Sequence, residues 1–324
     1  MRFVLASLVN LLLTLPSLAH AITVQTGSYT GDGLDNKAIA LGSACTPSVV
    51  LVKRNTAANH SFIALSSMTA GDSWTLTQTT ATPSTTCVKT LTATGFTLGT
   101  SSSCNGSGVT HYYLAICDNG AGDLSVGSYT GSAGGDNRDI TISPAFSPEV
   151  VLIIPGSGAF RVWRGASAHS GDDASIVSSA SATTANYIQA FNASGFQVGT
   201  SYNADTIVFY YVAIKGSAAG VASGNFAGNT NDDRDITTGF QPEFVLVKQD
   251  STTDGPSYRF ASQTAGESHC LSEAAATNQI QAFGATTFQV GTDVCANSNG
   301  ITMHWFALTD VTASRRPIPP VVFE

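Results

Sequence analysis

One heptapeptide pattern occurs three times along this chain and fixes what it can fold into. PSVVLVK runs from Pro47 to Lys53, PEVVLII from Pro148 to Ile154 and PEFVLVK from Pro242 to Lys248. Each copy sits at the same place in a longer template that opens on GSYTG at Gly27, GSYTG at Gly127 or GNFAG at Gly224. The template passes through a short D-x-[KR]-x-I turn and closes on YYLAI at Tyr112, YYVAI at Tyr210 or WFALT at Trp305. Self-similarity at a period near one hundred residues means that the unit of folding recurs, and the chain is a threefold tandem repeat.

Within a copy the signal is period two and short apolar runs, with turn residues every eight to twelve positions. Val49 to Val52 and its counterparts are continuously apolar, as a strand covered on both faces should be. Gly95-Phe96-Thr97-Leu98-Gly99 and Gly195-Phe196-Gln197-Val198-Gly199 alternate instead, which predicts one wet face. No stretch combines a helical period with caps. The fold class expected is all-β: three tandem antiparallel β-sandwich, jelly-roll-like repeats spanning 22–118, 124–215 and 221–310. The links at 118–123 and 216–220 are short and Gly-rich, so neighbouring repeats touch. A line and a ring about a pseudo-threefold axis both satisfy those links.

Residues 1–21 have the form of a secretory leader, with Arg2 as the charged start, an apolar run to Leu15 and Ala19-His20-Ala21 as a small-x-small cleavage site. The product is expected outside the cell or at its surface, without a membrane span. Six cysteines in an exported chain point to disulfides. The template selects Cys45 with Cys117 at the two ends of paired strands, and Cys87 with Cys104 and Cys270 with Cys295 flanking equivalent strands. Copy two has none. Residues 311–324, reading VTASRRPIPPVVFE, lie outside the template and suit an extended Pro-rich tail.

Charged residues are only 11% of the chain, against roughly 25% in an average soluble protein. The formal charge is −8 and no Lys/Arg cluster exists to meet a phosphate backbone, so nucleic acid is excluded as a partner class.

The order GSYTG, an x-Pro-x-hydrophobic-Val-Leu-Val-Lys strand, G-F-x-hydrophobic-G-T and an aromatic closing strand resembles the β-sandwich repeats of phage tail fibres and related surface proteins. The resemblance covers nearly the whole chain after the leader and implies a surface module. Lys53 and Lys248 match a lysine of that pattern, whereas Ile154-Pro155 breaks it in copy two; its D-S-x-R-G segment is replaced in copy one by Ser66-Ser67-Met68-Thr69-Ala70-Gly71.

Several residue groups bear on chemistry. Arg161 and Trp163 share one face of a strand, with Asp172 and Asp173 on the following loop, a set suited to stacking and hydrogen-bonding a sugar; the competing reading is a buried strand aromatic. Asp136, Asp139, Asp232 and Asp235 lie in recurring acidic turns whose oxygens suit Ca²⁺. Lys37, Arg138 or Arg234 sits inside each such turn, however, and favours plain Asx-turn closure. Gly71-Asp72-Ser73-Trp74 matches a GDS hydrolase motif in three letters, but no Asp stands three residues before a His. The histidines His60, His111, His169, His269 and His304 form no i, i+4 pair. Asn59, Asn105 and Asn192 begin glycosylation sequons. The expectation is a secreted, non-catalytic recognition or adhesion protein for glycans or a cell-surface polymer, with neither catalytic residue nor obligate cofactor. The alternative is a structural subunit of an extracellular filament, sheath or surface layer that binds copies of itself through edge strands or the tail.

Overall fold

A computed structural model describes residues 22–56, 60–216, 220–271 and 273–310; the leader, the tail and Asn59 fall outside them. The described chain is all-β. Repeat 1 contains β1 (Ile22–Thr30), β2 (Lys37–Ala40), β3 (Pro47–Arg54), β4 (Phe62–Leu65), β5 (Trp74–Thr75), β6 (Val88–Thr92), β7 (Gly95–Leu98), a single helical turn α1 (Ser102–Asn105) and β8 (Thr110–Asp118). Repeat 2 follows with β9 (Leu124–Thr130), β10 (Arg138–Thr141), β11 (Pro148–Pro155), β12 (Val162–Gly165), β13 (Ser175–Ile176), β14 (Ile188–Asn192), β15 (Gly195–Val198) and β16 (Val208–Lys215). Repeat 3 runs through β17 (Val221–Ala227), β18 (Arg234–Thr237), β19 (Phe244–Gln249), β20 (Ser257–Phe260), β21 (Ser268–Cys270), β22 (Ala275–Ala276), β23 (Ile280–Phe283), β24 (Thr287–Val290), α2 (Val294–Asn297) and β25 (Thr302–Leu308). The two short α-helical turns, with a 3-10 turn at Thr200–Tyr202 in repeat 2, are the departure from a purely β expectation. Each precedes a closing strand, in a stretch too short to show a helical period.

Every repeat is a two-layer antiparallel sandwich. The large sheets have the order β1-β8-β3-β4-β5, β9-β16-β11-β12-β13 and β17-β25-β19-β20-β21-β22, and each is backed by a three-stranded sheet, β2-β7-β6, β10-β15-β14 or β18-β24-β23. The turn before the second strand of each repeat reverses through a left-handed residue, Asn36 (φ 60°), Asn137 (φ 63°) or Asp233 (φ 53°). Asn and Asp tolerate that conformation because their side chains bond the local backbone.

The apolar runs face two cores at once. In β3, Val50 and Val52 point between the layers with Phe96, Leu98 and Tyr113, while Val49 and Leu51 point the other way. Those outer-pointing residues of all three large sheets meet in one further core, where Leu51, Leu114, Val212, Ile214, Leu246 and Phe306 pack together. The three sandwiches therefore close around a pseudo-threefold axis instead of forming a line. A cavity of about 50 Å³ remains on that axis, walled by apolar side chains from every repeat; such cavities stay dry. Burying a Val, Leu or Phe is worth ~1.5–3 kcal/mol, so the shared core binds the repeats into one body.

The contacts between repeats run in a ring. Near the end where β1 begins, Thr26 Oγ1 donates to Glu243 (3.0 Å), Ser223 Oγ to Glu149 (2.6 Å) and Ser67 Oγ to the Gly127 carbonyl (3.1 Å). At the opposite end each repeat sends a loop over its neighbour. Thr183 donates its backbone N–H and hydroxyl to Asp250 (2.8 and 2.9 Å), Ala275 N–H donates to the Asn55 carbonyl (3.2 Å), and the Thr75 carbonyl accepts from Arg161 (3.0 Å). The six cysteines are paired Cys45–Cys117, Cys87–Cys104 and Cys270–Cys295.

Strand directions give the molecule two distinct ends. Ile22 pairs with Asp118 and Val221 with Leu308, so the first strand, the last strand and both links between repeats meet at one end, the base. The loops that follow β1, β9 and β17 stand at the other, the apex.

Candidate functional site

Sequence singled out Arg161, Trp163, Asp172 and Asp173 for sugar binding, and the structure buries the Arg161 and Trp163 side chains, just before and within β12. Trp163 is 0% exposed, wedged edge-on between His169 (4.7 Å) and Phe306 (4.9 Å) in the axial core. Arg161 is also 0% exposed. Its guanidinium donates to the carbonyls of Thr75 (3.0 Å), Ala159 (2.6 Å) and Thr80 (3.2 Å) and lies 5.6 Å over the Trp74 ring. Arg161 is thus a clasp from repeat 2 onto repeat 1. Asp172 is exposed and Asp173 half-buried, and the Asp173 carbonyl accepts from Arg164, not Arg161. The four residues do not form a sugar site, because β12 is covered on both faces and its alternation marks two cores where a wet face was expected.

In the acidic turns the carboxylates are occupied by amides and hydroxyls. Asp136 accepts from Gln189 (2.8 Å) and Asn137 (3.2 Å), Asp139 from Asn192 (3.1 Å), Asp232 from Gln281 (2.9 Å) and Asp235 from Thr287 (3.4 Å). Arg138 and Arg234 turn away onto the Tyr129 and Phe226 rings, at 5.5 and 4.9 Å. Among the described residues no group of three His, Cys, Asp or Glu is placed to hold a metal ion. The geometry is that of Asx turns closed by side-chain amides.

Ser73 of the GDS stretch is 0% exposed and its hydroxyl donates to the Ser84 carbonyl (3.1 Å). The histidines serve the packing. His169 Nδ1 accepts from Gly165 N–H (3.1 Å), which makes Nε2 the protonated nitrogen donating to Ser175 (2.8 Å). Ser175 is itself 0% exposed, and burial pushes His169 down to about 2, so this pair is no nucleophile and base. His304 stacks on His169 at 4.5 Å and donates Nδ1–H to the Ala168 carbonyl (2.6 Å). Together they line a polar groove of about 360 Å³ between repeats 2 and 3, with Asp173, Thr183, Asn225 and Asp250.

The sequence reading missed the residues that shape the apex. Asn105, Asn203 and Asn297 are each 1% exposed or less and brace the loop after the first strand of their repeat. Asn105 donates to the Leu34 (2.8 Å) and Gly99 (3.0 Å) carbonyls while accepting from Asp32 N–H (2.9 Å). Asn297 repeats this on the Asn231 (2.9 Å) and Gly291 (2.8 Å) carbonyls and Asn229 N–H (3.0 Å); Asn203 accepts from Ser132 N–H (3.1 Å) and Arg138 (2.7 Å). The signal was present as an Asn a few residues beyond each Gly-Thr, at Gly99, Gly199 and Gly291. Its burial also closes the Asn105 sequon to a glycan. Held on these braces, the apex carries Leu34 (66% exposed), Val294 (49%) and Phe160 (36%), the large apolar side chains left exposed among the described residues.

Comparison with known proteins places one part of the chain. No curated protein and no solved structure matches it. Residues 20–165 match the model of a domain of unknown function, DUF7483, a window that takes in all of repeat 1 and runs into repeat 2 as far as the end of β12.

Proposed function

We propose that the chain is an exported, non-catalytic recognition module that presents its apex loops to a glycan or another cell-surface polymer. One observation carries this reading. Both described chain ends and both inter-repeat links lie at the base, while at the free apex Leu34 and Phe160 stand in loops and Val294 opens the helical turn α2, one from each repeat. A contiguous exposed apolar patch rimmed by polar residues marks a binding surface, and the large apolar side chains left exposed among the described residues all stand at this one end. Three related loop sets on a rigid body also raise avidity for a repetitive polymer without new contacts. The large sheets offer little to strand addition, since the edge strands β1, β9 and β17 lie against a neighbouring repeat.

The test is binding of the fluorescent full chain to a polysaccharide array and to whole cells, beside the triple variant Leu34→Ser, Phe160→Ser, Val294→Ser. Binding lost in the variant, at unchanged melting temperature, is the expected result. Equal binding by both proteins, or none by the parent on any polymer or cell, overturns the reading.

A further inference from the structure

The internal repeats act as three versions of one structure, and in one of them a charged group is missing from its socket. Strand register makes Ala64, Arg164 and Arg259 equivalent: they pair with Val50, Val151 and Val245. In repeat 2 the Arg164 guanidinium, 5.9 Å from the Phe191 ring, donates to the Gly171 carbonyl (2.8 Å), the Ile188 carbonyl (3.4 Å) and the Asp173 carbonyl. In repeat 3 Arg259, 5.5 Å from the Phe283 ring, donates to the carbonyls of Thr264 (3.2 Å) and Glu267. The loop that supplies these acceptors keeps its bend in repeat 1: Asp72 N–H bonds the Thr69 carbonyl at 2.9 Å, as Glu267 N–H bonds Thr264 at 3.1 Å. Only the cation is absent. A cleft of about 350 Å³ runs there from Ala64 past Leu91 to Gly71 and Asp72. The corresponding cleft of repeat 3 has Arg259 in its wall and does not extend to Glu267. Lys89 borders the repeat 1 cleft, but its ammonium is engaged by Asp35 at 2.8 Å.

We propose that this cleft is a guanidinium slot, filled by the Arg315–Arg316 pair in the C-terminal segment of a second copy of the chain. The pair is the one place in the sequence with two consecutive arginines, in a chain of net charge −8. The segment starts at residue 311, directly after Asp310 at the base, and Thr46, Pro47, Ser66 and Met68 put the slot at the base side of repeat 1. A chain's own arginines meet its own slot only at the limit of the arm: five residues from Asp310 span at most ~17 Å, and three strand spacings from β1 to β4 take ~14 Å of that, which leaves ~3 Å for the crossing from repeat 3 to β1. Two copies meeting base to base exchange their segments.

The experiment is sedimentation velocity of the full chain over a range of concentrations, beside Ala64→Arg and the double variant Arg315→Gln, Arg316→Gln. Ala64→Arg fills the slot from within, as repeats 2 and 3 already do. The parent is expected to self-associate, each variant to weaken association by at least ~10-fold as charge-assisted hydrogen bonds are lost, and a synthetic peptide of residues 311–324 to dissociate the parent. A parent that stays monomeric overturns the proposal and turns the search to an arginine of an unrelated protein; association untouched by the double variant overturns it as well. The double variant leaves the described residues unaltered, so it decides alone if Ala64→Arg does not fold.

Discussion

Lys53 and Lys248 end their central strands on the face turned to the axis, where repeat 2 has Ile154. They are 0% and 1% exposed, and burial pushes them down to about 7 and about 8. Arg54 adds to the shift at Lys53 while Glu273 opposes it; Asp250 and Asp254 oppose it at Lys248. An unfolded lysine keeps its proton up to 10.5, so the unfolded chain binds more protons throughout the window from about 7 to 10.5. Stability must therefore rise with pH across that window. The buried histidines have the same sign lower down. Burial takes His111 down to about 4 and His269 down to about 3, from 6.5, so stability falls as pH drops through 6.5 and below. Melting temperature should climb from pH 4 to pH 9, measured by scanning calorimetry. The pair Lys53→Met with Lys248→Met should flatten the upper limb and leave the lower one, because the two groups that burial pushes down in this window are then gone; a parent melting temperature that falls between pH 7 and 9 contradicts this. Arg161 is a buried cation held by its hydrogen-bond acceptors. Arg161→Ala should cost ~3 kcal/mol in urea unfolding by leaving buried carbonyls of repeat 1 unpaired. Arg161→Lys should recover little, since one ammonium cannot span the Thr75, Ala159 and Thr80 carbonyls.

At the scale of strands and loops, repeat 2 shows what can stand in for a disulfide. Cys87 precedes Val88 as Tyr187 precedes Ile188, and Cys104 precedes Asn105 as Tyr202 precedes Asn203. The tyrosine rings meet edge-on at 4.9 Å, and Tyr202 donates to the Phe160 carbonyl. The Cys87–Cys104 bridge closes a separation of 17 residues, worth ~3 kcal/mol in the unfolded chain, whereas an aromatic pair adds ~1 kcal/mol beyond the area it buries. Cys87→Ser with Cys104→Ser should lose the larger amount, and Cys87→Tyr with Cys104→Tyr should regain part of it in guanidinium unfolding. A tyrosine pair less stable than the serine pair shows that the two solutions are not interchangeable. Much of this level was legible beforehand, because strands, turns and cysteines repeat at fixed template positions and a repeat constrains its own alignment. The site was not. Alternation in Arg161-Val162-Trp163-Arg164 says that two faces differ but not what covers each, and here Trp163 faces one core and Val162 another. The bracing asparagines were on the page as three letters among many polar residues. Nothing local distinguishes a buried Asn from a loop Asn until the carbonyls it serves are known.

The continuous apolar runs of β3, β11 and β19 demand cover on two sides, and a sandwich supplies only one. The second cover is the other two repeats, so the molecule's architecture follows from a count of faces. A single repeat cut free would expose the outer row of its large sheet: for repeat 2, Val150, Leu152, Ile154, Trp163, Val212 and Ile214. A patch of that kind on a monomer is an association surface. Residues 124–215 alone, with no disulfide to restrict the unfolded chain, should accordingly fail to give a folded monomer and should aggregate or trimerise in size exclusion. The same reasoning governs how the whole chain melts. If the axial core joins the repeats, calorimetry of the full chain shows one transition whose calorimetric and van't Hoff enthalpies agree, on the order of 200 kcal/mol at ~0.7 kcal/mol per residue. Independent sandwiches would give up to three transitions of about a third of that enthalpy each, with the disulfide-free repeat 2 melting first. A single transition that splits when Leu246→Asp puts an unpaired charge on the axis would show that the common core, and not the links between repeats, couples the three.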